Sequence, residues 1–258
     1  MAVNTLRTDL SGAAHAAGED LMVAARHTMV DCQVRPMGVT DERILAGMMD
    51  LPREAFVPVA YAALAYVDEN LPLGAGQILD IETRTGIAPL SGRRCLMAPS
   101  ILARLLDAAE VKPDEVALDV GCGSGYATAL LAGLAAGVVG LESDAALADE
   151  AERLLVGLSV DNAAIVRGPL DLGYARQAPY DVILLNGAVR SIPPAIEAQL
   201  ADGGRLLVVI RDSSGLGRAT IVRRVDAGKA TSRLTRQIVF DAAIPDLTDL
   251  ATPAGFAF

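Results

Sequence analysis

Val116-Ala117-Leu118-Asp119-Val120-Gly121-Cys122-Gly123-Ser124-Gly125-Tyr126 is the stretch that decides the fold. A strand-like run from Val116 to Val120 passes through three glycines spaced two apart into a helix-forming run that begins near Gly125. A strand that feeds a helix through a glycine-rich turn opens a parallel α/β sheet. Ligands of such sheets sit beyond the carboxyl ends of the strands, where the strand order reverses. The glycines allow a tight turn and leave the backbone bare enough for a ligand to lie against it.

Working outward, the alternation is regular. After the helix Gly125 to Ala135 come a strand at Val138 to Leu141, a helix at Ala145 to Leu158 and a short strand at Ala163 to Val166. A strand at Tyr180 to Leu185, a helix at Pro194 to Leu200 and a strand at Arg205 to Ile210 follow. This order predicts an α/β, Rossmann-like, doubly wound and mostly parallel sheet. Ala219 to Val225 and Ser232 to Phe240 are β-branched runs joined around Asp226-Ala-Gly-Lys229, which predicts an antiparallel hairpin at the end. Upstream, Ser100 to Ala109 after Pro99 reads as an amphipathic helix. Ile44, Leu45, Met48 and Met49 form an apolar helical face capped by Thr40 or Asp41. Pro52 to Gly74 is irregular, and Ile78 to Arg94 reads as a polar surface loop or small hairpin. The expected organisation is a flexible arm or lone helix at 1–28, a small helical and loop region at 29–97 that includes an insertion at 78–94, and the Rossmann-like domain at 98–258.

Composition narrows the function. The chain has 258 residues, 52% hydrophobic and 21% charged, enough for one compact domain with a short appendage. Lys+Arg 22 against Asp+Glu 32 gives a net charge of -10, and no basic cluster stands out, so nucleic acid is not an expected partner. With no Trp, five Tyr and four Phe, a base-stacking platform is also poorly supplied. No apolar run reaches the roughly 18 residues a membrane helix needs. No secretion signal opens the chain, and Cys32, Cys95 and Cys122 have no metal-ligand spacing. The expectation is a soluble cytoplasmic protein without a metal. Both histidines, His15 and His27, precede the main domain, which excludes a Ser-His-Asp triad, a histidine metal site or a histidine base within it unless the N-terminal segment folds into the site.

Glu142 ends the second strand about twenty residues after the first glycine, the spacing at which a carboxylate reaches two ribose hydroxyls. The ligand is therefore expected to carry adenosine. A dinucleotide site needs glycine at the sixth position of its fingerprint, whereas here the fifth is Gly125 and the sixth is Tyr126. Asp119, two residues before Gly121, would repel a pyrophosphate in a partly dry cleft but suits a sulfonium and an ammonium. S-adenosylmethionine, leaving as S-adenosylhomocysteine, is the expected cofactor. NAD is the outside alternative.

The string Val116 to Tyr126 resembles the first motif of class I methyltransferases, and Pro179 to Asn186 and Leu200 to Leu206 resemble their motifs at later strands. Leu51-Pro-Arg-Glu-Ala-Phe-Val-Pro58, Ala65-Tyr-Val-Asp68 and Leu71-Pro-Leu-Gly-Ala-Gly-Gln77 together resemble the N-terminal signature of the protein-L-isoaspartate O-methyltransferase family, from about Val30 to the C-terminus. That family follows its Gly-Gln pair with Thr-Ile-Ser-x-Pro, which helps to shape the active site. Here Gln77 is followed by Ile78-Leu79-Asp80, and the x-Pro part returns at Leu96-Met97-Ala98-Pro99, which puts Met97 at the serine position. A thioether donates no hydrogen bond.

The resemblance implies methyl transfer to a carboxylate of an isoaspartyl protein or peptide. It implies a cofactor site built from Asp119, Gly121, Cys122, Gly123, Ser124, Gly125, Glu142, Ser143, Leu170 and Asn186, and a substrate side lined by Gln77, Met97, Pro99, Asn186 and Val189. Asn186 reads equally as a turn residue at a strand end, and Cys122 and Tyr126 as packing residues. Two other readings stay open: a methyltransferase acting on another small molecule or peptide, and a non-catalytic cofactor-binding module. The oligomeric state, a homodimer among the options, is not legible.

Overall fold

The protein is described from a computed structural model that covers residues 18, 20–73, 94–226 and 232–250. Seven strands form one sheet: β3 (Val116–Val120), β4 (Gly137–Glu142), β5 (Ala163–Arg167), β6 (Tyr180–Val189), β7 (Leu200–Arg211), β8 (Gly217–Asp226) and β9 (Ser232–Asp241). Their order is β5-β4-β3-β6-β7-β8-β9, with β8 and β9 antiparallel and the rest parallel. The chain steps outward from β3 in both directions, so the glycine turn after β3 lies where the strand order reverses.

Side chains alternate across this sheet and both faces are covered. Val182 and Leu184 join one apolar cluster, and Ile183 and Leu185 join the other. The first cluster packs under the helices that precede and follow β3. These are α1 (20–29), α2 (Glu42–Asp50), α3 (Pro99–Ala109) and α4 (Tyr126–Ala132), with α5 (Ala145–Gly157) at the side. The second cluster has a thinner cover. It consists of the short α6 (Pro194–Glu197), the turn Leu170–Leu172, and Leu247 and Leu250 from the C-terminal segment.

Local chemistry sets the helix ends. Asp41 caps α2 by accepting from the Arg43 N–H at 2.9 Å. Pro99 opens α3, and two side chains from the preceding loop reach its start: Ser100 N–H donates to Asp68 at 3.0 Å and Ala98 N–H to Asn70 at 3.0 Å. Asp144 caps α5 through Ala146 and Leu147.

Three details bear on the expectations, and two of them depart from what was expected. The helix expected over Pro194 to Leu200 ends at Glu197, because Leu200 pairs with Tyr180 as the first residue of β7. A break in register between Tyr180 and Val182 then passes the Ala201 to Gly204 stretch before the ladder resumes at Arg205. The first segment, expected as an arm or lone helix, is helical from 20 to 29. Arg26 anchors it, donating to Tyr66 at 3.0 Å and to the Asp50 carbonyl at 2.9 Å. Arg94, expected in a surface loop, has a side chain only 10% exposed.

The expected insertion falls between two short strands, β1 (Leu71–Pro72) and β2 (Cys95–Leu96), which pair antiparallel with Leu71 opposite Leu96. Leu73 N–H donates to the Arg94 carbonyl at 3.0 Å. Residues 74–93, Gln77 among them, lie outside the described residues, as do 1–17 with His15. No helix among the described residues is long and apolar enough to cross a membrane.

Candidate cofactor and active site

The turn after β3 satisfies its own amides. Gly121 and Cys122 N–H both donate to the Leu141 carbonyl, at 2.8 and 3.2 Å, and Gly125 N–H donates to the Cys122 carbonyl at 3.0 Å. Gly123 N–H donates to the Glu142 carboxylate at 2.9 Å. Gly121 and Gly123 take φ of +76° and +58°, and a Cβ on either would come within 2.8 Å of Leu247 or 2.6 Å of Leu73. The positive φ is what requires glycine at both positions, and the two leucine tips lie close enough that a side chain there would push them aside. Ser124 donates to the Phe56 carbonyl at 2.6 Å, fastening the 53–56 turn onto this loop. Cys122 is buried against Gly140, and burial raises its thiol well above the ordinary value. That is a packing residue rather than a nucleophile.

The two carboxylates occupy different environments. Asp119 is fully buried, accepting from Thr128 Oγ1 at 2.8 Å and Asn186 Nδ2 at 3.4 Å. Burial pushes its carboxyl up to about 7 against the pull of those two donors, and the nearby Glu142 charge adds to the rise. Glu142 is also fully buried, but its carboxylate accepts from the backbone N–H groups of Gly123, Ser143 and Asp144 and pairs with Arg94. Asn186, expected at a strand end, lies inside β6 because the strand runs on to Val189 through a break in register after Leu184, and it joins this group through Asp119. Leu170 completes the floor, 3.4 Å from a Cβ built on Gly121.

The residues expected on the substrate side fall in two places, Met97 and Pro99 at the start of α3 and Asn186 and Val189 in β6. Met97 is buried at the end of β2 and Pro99 at the start of α3. Val189 closes β6, buried, opposite Ile210. The Met97 carbonyl accepts from Arg53 Nη2 at 2.7 Å, and the guanidinium carbon of Arg53 lies 5.0 Å from the ring centre of Tyr126, the first residue of α4. Arg53 therefore links the Met97 loop to the helix that follows the glycine turn. An open cleft of about 400 Å³ beside the turn is lined by Phe56, Val57, Leu73, Ser124 and Leu147.

Four contributors escaped the sequence reading: Arg53, Arg94, Leu247 and Asp249. Arg53 stood inside a quoted motif, but its complete burial has no sequence signal, since arginine is ordinarily a surface residue. Arg94 lay at the end of a polar, glycine-containing stretch. Leu247 and Asp249 reach the site only because Ala188 N–H donates to the Pro245 carbonyl and Leu247 N–H to the Ala188 carbonyl, a contact between distant parts of the chain.

A family model described as Protein-L-isoaspartate(D-aspartate) O-methyltransferase (PCMT) matches residues 25–245. The Protein-L-isoaspartate O-methyltransferase of Koribacter versatilis is 39% identical over 204 residues, covering 79% of this chain and 83% of that protein. Protein-L-isoaspartate O-methyltransferase 1 of Rhodopseudomonas palustris is 34% identical over 227 residues, 88% of this chain and 81% of that protein. A solved Plasmodium falciparum structure in complex with S-adenosyl-L-homocysteine shares the fold, with a TM-score of 0.65, 18% identity and coverage of 86% of this chain and 97% of that one. This chain belongs to the protein-L-isoaspartate(D-aspartate) O-methyltransferase family and is an S-adenosylmethionine-dependent O-methyltransferase.

Proposed function

We propose that the chain transfers the methyl group of S-adenosylmethionine to the free carboxylate of an isoaspartyl residue in a protein or peptide. The observation that carries the cofactor side of this reading is the Glu142 carboxylate on the Gly123 N–H at 2.9 Å. In a phosphate-binding turn that amide faces an anionic ligand. Here an acidic side chain holds it, with Asp119 buried behind, and the turn is built against an anion and for a cation.

In this reading Glu142 and Ser143 face the ribose, Leu170 the adenine, and Gly121, Cys122, Gly123, Ser124 and Gly125 the cofactor's amino-acid arm under the field of Asp119. The bound cofactor supplies an electrophilic methyl group on a sulfonium. The protein's task is alignment and exclusion of water. Met97, Pro99, Asn186 and Val189 would shape the acceptor side, with Gln77 as an additional candidate outside the described residues. An isoaspartyl carboxylate is ionised at neutral pH and needs no general base, which fits a site where no imidazole lies among the described residues beyond the exposed His27. Cys32, Cys95 and Cys122 are all free thiols, which fits a cytoplasmic setting.

Met97 favours a second reading. A buried thioether stands where the family resemblance places a hydroxyl, so the acceptor pocket has lost a hydrogen-bond donor, and a different carboxylate or small acceptor fits such a pocket. The deciding experiment offers isotopically labelled S-adenosylmethionine with an isoaspartyl peptide and with its aspartyl twin. Label in the isoaspartyl peptide alone is expected. Binding of S-adenosylhomocysteine by calorimetry without label in either peptide would turn the assignment to another acceptor.

A further inference from the structure

We propose, resting on the cofactor assignment above, that Arg94 is an internal occupant of the ribose position. On this proposal the nucleoside enters by displacing its guanidinium from Glu142, and that exchange loosens the far end of the C-terminal segment lying over the glycine turn.

The argument is a count of lone pairs. An ionised carboxylate offers about four acceptor sites. Glu142 spends three on backbone, Gly123 N–H at 2.9 Å on Oε2, and Ser143 N–H at 2.8 Å and Asp144 N–H at 3.0 Å on Oε1, and Ser143 Oγ lies 3.3 Å from Oε1 as well. Arg94 Nε sits 3.0 Å from Oε1 and 3.1 Å from Oε2, astride both oxygens. With the three amides in place, a ribose hydroxyl can reach this carboxylate only in the place that Arg94 Nε holds, and a second only by taking over from Ser143 Oγ as well. The three amides belong to the turn and to the start of α5, so they are fixed by backbone. The guanidinium is the partner that leaves.

The same guanidinium reaches further. Its Nη2 donates to Ser143 Oγ and to Asp249 Oδ2, both at 2.8 Å, and Ser143 Oγ also bonds Asp249. Asp249 ends a segment whose Leu247 packs against both Gly121 and Gly187. The near end of that segment is held independently, by Arg211 on Asp246 at 2.6 Å and by the Leu247 N–H on the Ala188 carbonyl at 2.7 Å. Arg94 therefore fastens only the far end, at Asp249. When it leaves Glu142, Asp249 loses its cation and the turn that ends at Leu250 is released, while Leu247 stays on β6. Glu142 keeps its three amides throughout, so removing Arg94 does not strand a bare buried charge.

The test uses the full chain with two substitutions, Arg94→Met and Asp249→Asn, and two readouts. In calorimetry with S-adenosylhomocysteine, R94M is expected to bind on the order of tenfold tighter than the parent, because a competing closed state no longer taxes affinity. D249N should gain less, in the same direction. In ligand-free hydrogen exchange, the Leu250 amide, which donates to the Leu247 carbonyl at 2.9 Å, should exchange faster in R94M, and the Leu247 amide on Ala188 should not. Arg94→Lys, which keeps a cation but cannot span both oxygens, should fall between the two and guards against a folding defect. Unchanged or weaker binding by R94M, or unchanged exchange at Leu250, overturns the proposal while leaving the cofactor assignment intact. Failure of parent and variant alike to bind overturns the assignment itself.

Discussion

Among single residues, Asp119 carries the clearest pH signature. Its carboxyl stands near pH 7 in the folded chain against an ordinary value of 3.8, because burial penalises the charge more than Thr128 and Asn186 repay. A carboxyl raised in the folded state stabilises the fold fully below the unfolded value and loses that contribution as pH rises through the folded value. The window is therefore about 3.8 to 7, with each pH unit across it worth about 1.4 kcal/mol for this one group. Asp119→Asn should flatten that part of the profile and leave the protein at least as stable as the parent at pH 7. Urea denaturation at several pH values would show it, and parallel profiles for parent and variant would refute it. Ligand affinity should move oppositely, since a cationic cofactor prefers the ionised form. Binding of S-adenosylmethionine by the parent should rise as pH passes 7, and D119N should bind weakly and without that slope.

At the level of elements, the loop before α3 acts as a cap delivered from a distance. Asp68 accepts from the Ser100 N–H, and Asn70 accepts from the Ala98 N–H while donating to the Ala243 carbonyl at 2.8 Å. Asp68→Ala removes a helix cap and should cost about 1 kcal/mol of stability, read as a shift in denaturation midpoint. Because Met97 to Pro99 lead into that helix, the substitution should also raise KM for a peptide acceptor more than it weakens S-adenosylhomocysteine binding. Equal losses in both would assign Asp68 to stability alone. This element also marks the limit of the sequence. The strands β3 to β9 and the helices α2 to α5 were legible because each is a long run with a clear period and a glycine, proline or acidic residue at its end. The glycine turn, Asp119 and Glu142 were legible for the same reason, since their roles follow from spacing along one strand–turn–helix unit. What could not be read were contacts that close over large separations: Arg53 on the Met97 carbonyl, Arg94 on Glu142, Leu247 on Gly121. No local period encodes them. The C-terminal end of α6 was misplaced because propensity continued the helix where strand pairing of Leu200 with Tyr180 prevailed.

For the molecule as a whole, the question is how a sheet edge that no other described strand covers is kept from pairing with a second chain, in a protein that is 52% hydrophobic. Strand β9 is an edge: it pairs with β8 on one side and ends the sheet on the other. An edge presents unpaired N–H and C=O groups to any extended segment that arrives, and charged side chains are a usual defence. Here Ile238 is 56% exposed on that strand, an invitation to pairing, while Arg233 and Arg236 are exposed beside it. Arg236 pairs with Glu197 at 3.2 Å across an exposed surface, a contact worth at most about 1 kcal/mol. The two arginines are thus better explained by repulsion of a second edge than by stability of their own. Replacing both, Arg233→Val with Arg236→Val, should leave the unfolding free energy within about 1 kcal/mol of the parent. The same pair should produce larger particles that grow with protein concentration in light scattering, because a β-branched edge next to Ile238 then meets the pattern of a sticky strand. If the double variant scatters like the parent at every concentration, the arginines do not guard the edge, and the twist of the β8–β9 pair with its break in register at Ala219 and Thr220 is left to do so.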